Sequence, residues 1–589
     1  MGCQLSYVYM LKQLLKYSGK DSWKIILYFC CHIISLLGVL GQPYAFSKIF
    51  DALQANNHTL FQEICFWLGI YVCLFFVFNV FHRIGRYIEQ RVAFRARQRF
   101  INTAYDKILK LPMSWHNDTH SGDTINRVKT SSDALYDFGE KQFLYIEYFM
   151  MFWGPLIALS LLSYKISFLA FLIAVFIVYI IGKFDKIIVP LFREEAETQH
   201  RFLATFFDYI SNIKTIITLR LSSKTKQGLD EKIEAAYPIL TESITKNQYK
   251  WAVVSFLILL LEISVIFYYI YLNKQFRDPI MIGSVVAIFQ YLQQLSRMFF
   301  NIAASFQEIV QMKTDFQTSE KIEEAYILNK KLIRAGEERS LRQWKKININ
   351  NLSFVYKNNT KPCLNNINLG FSNHSKIALV GESGSGKSTL LSLLRGLYES
   401  SPQNVIIDGK VYNDLSILSS TTTLILQEPE IFENTLEYNI AVGMRASKED
   451  IEEAINLACF GNVLKSLPNG LETDIREKGV NLSGGEKQRL ALARGLLSAK
   501  DSSIILLDEP TSSVDIHNEV TIYENILSKF SDKCIISSIH RLHLLDKFDQ
   551  IYVMSKGEIV QQGTFEELKK KDGLFSQLWN KYIQEQNSD

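Results

Sequence analysis

Six apolar stretches, near residues 24–47, 61–83, 143–163, 166–189, 251–273 and 280–303, each supply the ~20 residues that a helix needs to cross a bilayer. The run "FLAFLIAVFIVYIIG" (168–182) is the clearest of them. One such stretch is compatible with a buried core helix, but six in the first half of one chain are not. That half is read as an all-α polytopic membrane domain. Residues 320–589 lack long apolar runs and read as a soluble domain, so a chain of 589 residues holds at least two domains.

The loops alternate in length. Those after the first, third and fifth spans are short, and those at 84–142 and 190–250 are long. Arg83, Arg86, Arg91, Arg95, Arg97 and Arg99 follow the second span, Lys183, Lys186 and Arg193 follow the fourth, and Lys12, Lys16, Lys20 and Lys24 precede the first. The short loops offer little beyond Lys165, Lys274 and Arg277. Positive charge stays on the cytoplasmic side, which puts both termini and both long loops there. Residues 86–111 carry apolar positions at helical spacing. The spans are therefore expected to continue below the bilayer and to turn near 116–124 and near 208–215. Residues 5–20 fit either an amphipathic helix on the inner membrane surface or a solvated start. No cleavable signal is expected. "MGCQLS" fits the myristoylation pattern, a short pattern that chance alone produces.

A net charge of +4 does not suggest a polyanion, so no nucleic-acid partner is expected. The eight cysteines form no metal-ligand spacing and read as scattered reduced thiols.

The soluble half carries the chemistry. "KIALVGESGSGKSTLLSLL" (376–394) is a buried strand, a glycine loop and a helix start. Gly381-x4-Gly386-Lys387-Ser388 fits the P-loop pattern, in which backbone N–H groups turn toward phosphate oxygens at a helix N-terminus. Lys387 is then expected at the β/γ-phosphates and Ser388 on Mg²⁺. "SSIILLDEP" (502–510) is a second buried strand that delivers Asp508 to the metal and Glu509 as a general base. Two further strands end in Gln427 and His540. Ligands of a parallel α/β sheet sit beyond the carboxyl ends of its strands. Lys387, Gln427, Asp508 and His540 all fall there, which argues for one site. Tyr356, at the end of an alternating stretch (347–359), is placed to stack on a base, and 551–563 reads as a hairpin turning at Lys556-Gly557.

Together these residues resemble the ATPase domain of ABC transporters. The resemblance runs in order through Tyr356 as base stacker and "GESGSGKST" (Gly381, Glu382, Ser383, Gly384, Ser385, Gly386, Lys387, Ser388, Thr389). It continues through Gln427 as a Q-loop residue that also reaches the metal, and "LSGGE" with Ser483, Gly484, Gly485 and Glu486 as the signature. "IILLDEP" (504–510), "SSVD" (512–515) as the D-loop and His540 as the switch histidine complete it. Six N-terminal spans with two long inner loops resemble the exporter-type half-transporter. The resemblance implies a membrane domain over 1–318, a linker over 319–345, an ATP-binding domain over 346–583 and a tail over 584–589. It also implies an α/β P-loop NTPase fold with an antiparallel β subdomain and a helical subdomain. The departures are Glu486 where Gln is commoner, Ser513-Val514 in the D-loop, and Arg476 ahead of the signature, and none removes a catalytic group.

The same resemblance implies ATP and Mg²⁺ as cofactors and Glu509, His540, Lys387 and Gln427 as catalytic residues. ATP lies between two ATPase domains in this family, held by the P-loop of one and the signature of the other. One chain holds one of each, so a dimer is implied, most simply a homodimer, with a second half-transporter as the alternative partner. The expected setting is a bacterial inner membrane, with the ATPase in the cytoplasm. Gln290, Gln294, Arg297 and Asn301 share a face of the sixth span, with Glu262 on the fifth and Glu147 on the third. Each of these groups fits helix–helix hydrogen bonding as well as a substrate, and together they suit an amphiphile exported or flipped across the bilayer. A lipid or glycolipid, a drug-like compound and a peptide all fit. An ATP-gated channel or non-transporting regulator is the alternative of another class.

Overall fold

The computed structural model describes residues 2–55, 58–119, 121–276, 280–329, 344–356, 361–398, 404–475 and 482–586. Most of the expected linker, the end of the expected tail and Arg476 lie outside them, as does the side chain of Asn301. The chain divides into two compact units, Met1–Asp106 with Gly122–Glu323, and Lys107–Ser121 with Glu324–Asp589.

The helices are, in order, α1 (Gly2–Ser18), α2 (Trp23–Ala55), α3 (Leu60–Leu109), α4 (Met113–Asp118), α5 (Ser121–Glu140), α6 (Gln142–Leu162), α7 (Tyr164–Ser211), α8 (Ile213–Thr218), α9 (Ser222–Phe276), α10 (Ile282–Gln317) and α11 (Glu320–Leu328). Among the described residues, five segments are long and apolar enough to cross a membrane. They lie in α2, α3, α6, α7 and α9. The expected sixth span falls in α10, where Gln290, Gln293, Gln294 and Arg297 interrupt the apolar run. The 50 residues of α3 reach about 75 Å, more than twice the ~30 Å hydrocarbon core. The excursion after α3 is broken at the short α4. The excursion after α7 is broken at Asn212, within the expected 208–215, and again after α8.

Packing in the first unit follows helical periodicity. Ile166, Ala170, Ala174, Ile177 and Ile181 of α7 form one buried ridge. It meets a ridge of α9 made by Val254, Ile258, Leu261, Val265 and Tyr269. The start of the chain is a helix packed against the rest of its unit rather than a solvated tail. Tyr7, Met10, Leu14 and Tyr17 recur three and four apart and turn inward against Val92 and Phe100 of α3, Phe138 of α5 and Phe316 of α10. Lys12 and Lys16 stay exposed on the other face. The corner after α1 is tied by Asp21, which meets Lys24 (2.7 Å), Arg99 (2.6 Å) and Arg95 (3.0 Å). Lys24 and Arg99 hold its carboxyl well below the usual carboxylate range.

The second unit is built on strands β1 (Lys346–Phe354), β2 (Leu364–Ser372), β3 (Lys376–Val380), β4 (Asn404–Ile407), β5 (Lys410–Tyr412), β6 (Thr422–Ile425), β7 (Asn434–Thr435), β8 (Asp474–Ile475), β9 (Ile504–Asp508), β10 (Cys534–Ser538), β11 (Gln550–Ser555) and β12 (Glu558–Gly563). An antiparallel sheet runs β2-β1-β4-β5, and a larger one β12-β11-β3-β10-β9-β6. In the larger sheet β11, β3, β10, β9 and β6 are parallel. Its central strands are apolar on both faces. Ile377, Leu379, Leu506 and Ile536 belong to one core, and Ala378, Val380, Leu507 and Ile535 to the other. The β11–β12 hairpin turns at Lys556 (φ 47°) and Gly557 (φ 82°), the left-handed pair that a two-residue hairpin turn requires. The described free thiols include Cys534, whose burial pushes its pKa up to about 12.

Candidate nucleotide site

The carboxyl ends of β3, β6, β9 and β10 lie side by side in the parallel sheet, and each delivers one part of the site. After β3 the chain turns through Gly381–Gly386 into the helix Lys387–Leu394. A Cβ on Gly381 would meet the Met554 carbonyl oxygen at 2.2 Å. Gly386 has φ 104°, and a Cβ there would strike Leu364 at 2.6 Å. Both positions therefore exclude a side chain. Glu382, Ser383 and Gly384 form the exposed crest of the loop, while Ser385, Gly386, Lys387 and Thr389 are buried.

Lys387 Nζ donates to the carbonyls of Gly381 (2.8 Å) and Glu382 (3.2 Å), so its ammonium lies inside the loop's curve. Burial lowers its pKa from the usual lysine range, with Glu509 and Asp508 acting in the opposite direction. Ser385 Oγ is buried without a hydrogen-bond partner. A buried cation hydrogen-bonded to neutral carbonyls, beside an orphaned hydroxyl, fits a loop shaped for an anion. Ser388 Oγ donates to Asp508 Oδ1 at 3.0 Å. A hydroxyl and a carboxylate are hard oxygen donors of the kind Mg²⁺ takes together with phosphate oxygens. Among the described residues no three His, Cys, Asp or Glu side chains gather into a metal site of their own.

Gln427 Nε2 donates to Glu509 Oε2 at 3.0 Å, which joins the ends of β6 and β9. Glu509 follows β9 with φ 43°, a conformation uncommon for a residue with a side chain. Glu509 and His540 line a cavity of about 240 Å³ together with Thr511, Glu519, Ser538 and Arg541. Tyr356 is half-buried. Its hydroxyl lies 3.1 Å from Thr389 Oγ1, and its ring meets those of Phe354 and Tyr398 edge-on. Tyr398 in turn accepts a hydrogen bond from Asn117 of α4 at 2.9 Å. Within this unit, a continuous set of contacts therefore runs from the glycine loop through two tyrosines to the first break between the long helices.

The signature turn is placed differently. Ser483 caps the helix Gly484–Ser498 and forms a capping box with Glu486, whose Oε2 accepts the Ser483 N–H at 2.7 Å. Ser483 and Gly484 are exposed. Gly485 lies so close to the D-loop that a Cβ would meet the Ser513 carbonyl at 2.6 Å.

Two residues that the motifs did not single out organise the site. Gln488 donates to the Gln427 carbonyl (3.1 Å) and Ser512 Oγ (2.7 Å) and accepts the Ser513 N–H (2.7 Å). It thereby ties Q-loop, signature helix and D-loop together. Its place three residues after Gly485 puts it on the helix side that meets the D-loop. The other is Ser538, at the end of β10. In the membrane unit, Glu262 accepts from Gln293 (2.9 Å) and Ser296 (3.3 Å), and Gln294 donates to the Val39 carbonyl (3.4 Å). These groups join helices to one another, while Arg297 is exposed.

Residues 364–512 match the family described as ABC transporter, and residues 25–299 match the ABC transporter transmembrane region. The chain is 26% identical over 582 residues to a multidrug resistance-like ATP-binding protein, MdlB, of Buchnera aphidicola, covering 97% of each chain. It is 29% identical to an ATP-dependent lipid A-core flippase 2 of Colwellia psychrerythraea, covering 92% of this chain and 91% of that one. It is 26% identical to a beta-(1→2)glucan export ATP-binding/permease protein, NdvA, of Agrobacterium vitis, covering 96% and 95%. The solved structure of a bacterial Atm1-family ABC exporter with ATP bound superposes with a TM-score of 0.77, covering 95% of this chain and 98% of that one. At 22% identity this likeness bears on the fold.

Proposed function

This chain belongs to the ABC transporter family, with transmembrane region and ATPase on one polypeptide, and on that premise we propose that two copies form a homodimeric exporter of an amphiphilic substrate. The ATPase drives transport. The proposed cargo is a lipid, a glycolipid or a drug-like compound moved out of the inner leaflet of a bacterial inner membrane, with both termini and the ATPase in the cytoplasm. The observation that carries the dimer is the exposed signature turn. Ser483 and Gly484 are exposed at the N-terminus of a helix, while the glycine loop of the same chain is built around its own lysine.

In this reading Ser388, Asp508 and Gln427 would hold Mg²⁺, which neutralises charge on the phosphates when bound. Lys387 exchanges its two carbonyl partners for the β/γ-phosphate oxygens. Glu509, held by Gln427, takes the proton of the attacking water, and His540 faces the same cavity. The partner copy's signature turn closes the site. That closure passes to the long helices at the breaks around α4 and α8 and opens the cavity outward, and hydrolysis resets it.

The signature's departure from the common pattern carries a prediction. The Glu486 carboxylate occupies the positive end of the helix on which the partner's nucleotide is proposed to sit. Glu486→Gln is expected to lower the KM for ATP roughly two- to fivefold, as removal of one charge at a helix terminus allows. An unchanged KM would place that carboxylate away from the nucleotide.

ATPase activity in lipid vesicles, measured against a panel of lipids, glycolipids, dyes and peptides, tests the substrate class. Stimulation by amphiphiles with an apolar body and a polar head is expected. Stimulation by peptides alone would replace this reading with peptide export.

A further inference from the structure

Ser538 ends β10 in register with Asp508 at the end of β9, so the two side chains leave the sheet on one face. It is fully buried, at 0% exposure. The residues before it on the strand, Cys534, Ile535 and Ile536, are apolar core, and the neighbouring Ser537 hydroxyl is occupied by Tyr523 at 3.0 Å. A hydroxyl at this depth is unfavourable unless it is bonded. Ser538 Oγ accepts the Glu509 N–H at 2.9 Å and donates to Asp508 Oδ1 at 2.8 Å. The same Asp508 oxygen accepts from Ser388 of the glycine loop. Glu509 meanwhile holds φ 43°, a backbone state that persists only where its surroundings fix it.

We propose that Ser538 is a positioning residue for ATP hydrolysis: its single hydroxyl locks the Asp508 carboxylate to the Glu509 amide and so sets the direction of the base. The proposal rests on the reading of Asp508 and Glu509 given above. An aliphatic side chain at this position would fill the space and leave the Glu509 N–H and one Asp508 lone pair without their shared partner. The carboxylate could then rotate about its own χ angles, and the left-handed backbone of Glu509 would lose one of its restraints. Ser538 is fully buried and its hydroxyl is taken up by Asp508 and Glu509, so the effect is expected on turnover rather than on binding.

The test compares Ser538→Thr with Ser538→Val, two side chains of nearly the same shape that differ in the hydroxyl. In Ser538→Val, kcat for ATP is expected to fall roughly tenfold or more, as loss of a hydrogen bond to a charged group implies, with KM changed by less than about twofold. Ser538→Thr keeps most of the wild-type kcat. Hydrogen exchange of the Glu509 amide in nucleotide-free protein is expected to speed up at least about tenfold in the valine variant and to stay slow in the threonine variant. Ser538→Ala, which adds no bulk, repeats the comparison if the valine variant does not fold. Equal kcat values in the hydroxyl-bearing and hydroxyl-lacking variants, or an unchanged Glu509 exchange rate, would overturn the proposal. Glu509→Gln, assayed in parallel, separates the two readings. If that variant still hydrolyses ATP, the base assignment fails, and the exchange result still decides the role of Ser538.

Discussion

Glu509→Gln is expected to lower ATPase turnover by about 10²–10⁴-fold, the range typical for loss of a positioned acid–base group, while ATP still binds. The substitution keeps the size and the polar contact of the side chain, so Gln427 retains a partner across the same 3.0 Å. Lys387, Ser388 and the glycine loop are untouched, and they carry the binding. The variant should therefore accumulate with nucleotide held between two copies, visible as an ATP-dependent dimer of the ATPase units that does not reopen. Turnover at the wild-type rate would remove Glu509 from the role of base. Loss of ATP binding would show that its carboxylate serves the nucleotide's ground state instead.

Glu89→Leu is expected to destabilise the membrane unit by about 3–5 kcal/mol, the cost of breaking a buried charged network on one side. Glu89 is fully buried on α3 and is used from three directions. Oε2 meets His32 Nε2 at 3.0 Å and Arg86 Nη1 at 2.9 Å, and Oε1 accepts the Phe143 N–H at 2.9 Å. This one carboxylate thus joins α2, α3 and the start of α6. The fit is close, because a Cβ on Gly85 would lie 2.5 Å from the His32 ring. Leucine would leave the buried His32 imidazole and the Phe143 N–H without this acceptor and would take one acceptor from the half-buried Arg86, which also donates to the Glu140 carbonyl. Thermal unfolding of detergent-purified protein checks this, with Glu242→Leu as the control. Glu242 pairs with Lys246 on the exposed face of α9, and its loss should change stability by less than about 1 kcal/mol. Equal effects of the two substitutions would contradict the account of Glu89.

The difference between these two carboxylates also marks what the sequence could reveal. Both sit in charged helical stretches, and nothing local separates the buried one from the exposed one. The separation comes from His32, fifty-seven positions away in the chain, which supplies the pocket. The glycine loop and the acids after β9 were legible because their chemistry is local. Gly386, Lys387 and Ser388 are consecutive, and Asp508 and Glu509 end an uninterrupted apolar strand. Ser538 and Gln488 were not legible, since a serine at a strand end and a glutamine on a helix are ordinary until the register and the neighbouring loops are known. The N-terminal helix shows a third case. Its lysines are readable from the sequence, but which elements its apolar face packs against is not, because Tyr7, Met10, Leu14 and Tyr17 are buried by residues of α3, α5 and α10 that are distant in the chain. Glu262 was legible only as a lone acid in an apolar span, and the partners it accepts from, Gln293 and Ser296 of the next helix, needed the packing of α9 on α10 to be seen.

The central claim is that each ATP site is made by two copies of this chain, and mixing two inactive variants tests it most directly. Lys387→Ala disables the glycine loop, and Ser483→Arg blocks the signature turn. Each variant alone should be inactive, because both of its sites carry the same defect. In a mixed dimer one site carries both defects, and the other joins an intact loop to an intact signature. With random pairing, half of the dimers hold one good site, so co-reconstitution should recover about a quarter of the wild-type ATPase if the sites act independently. Recovery of activity on mixing is the result this account predicts. A mixture as inactive as its two components, in preparations shown by crosslinking to contain mixed dimers, would contradict it.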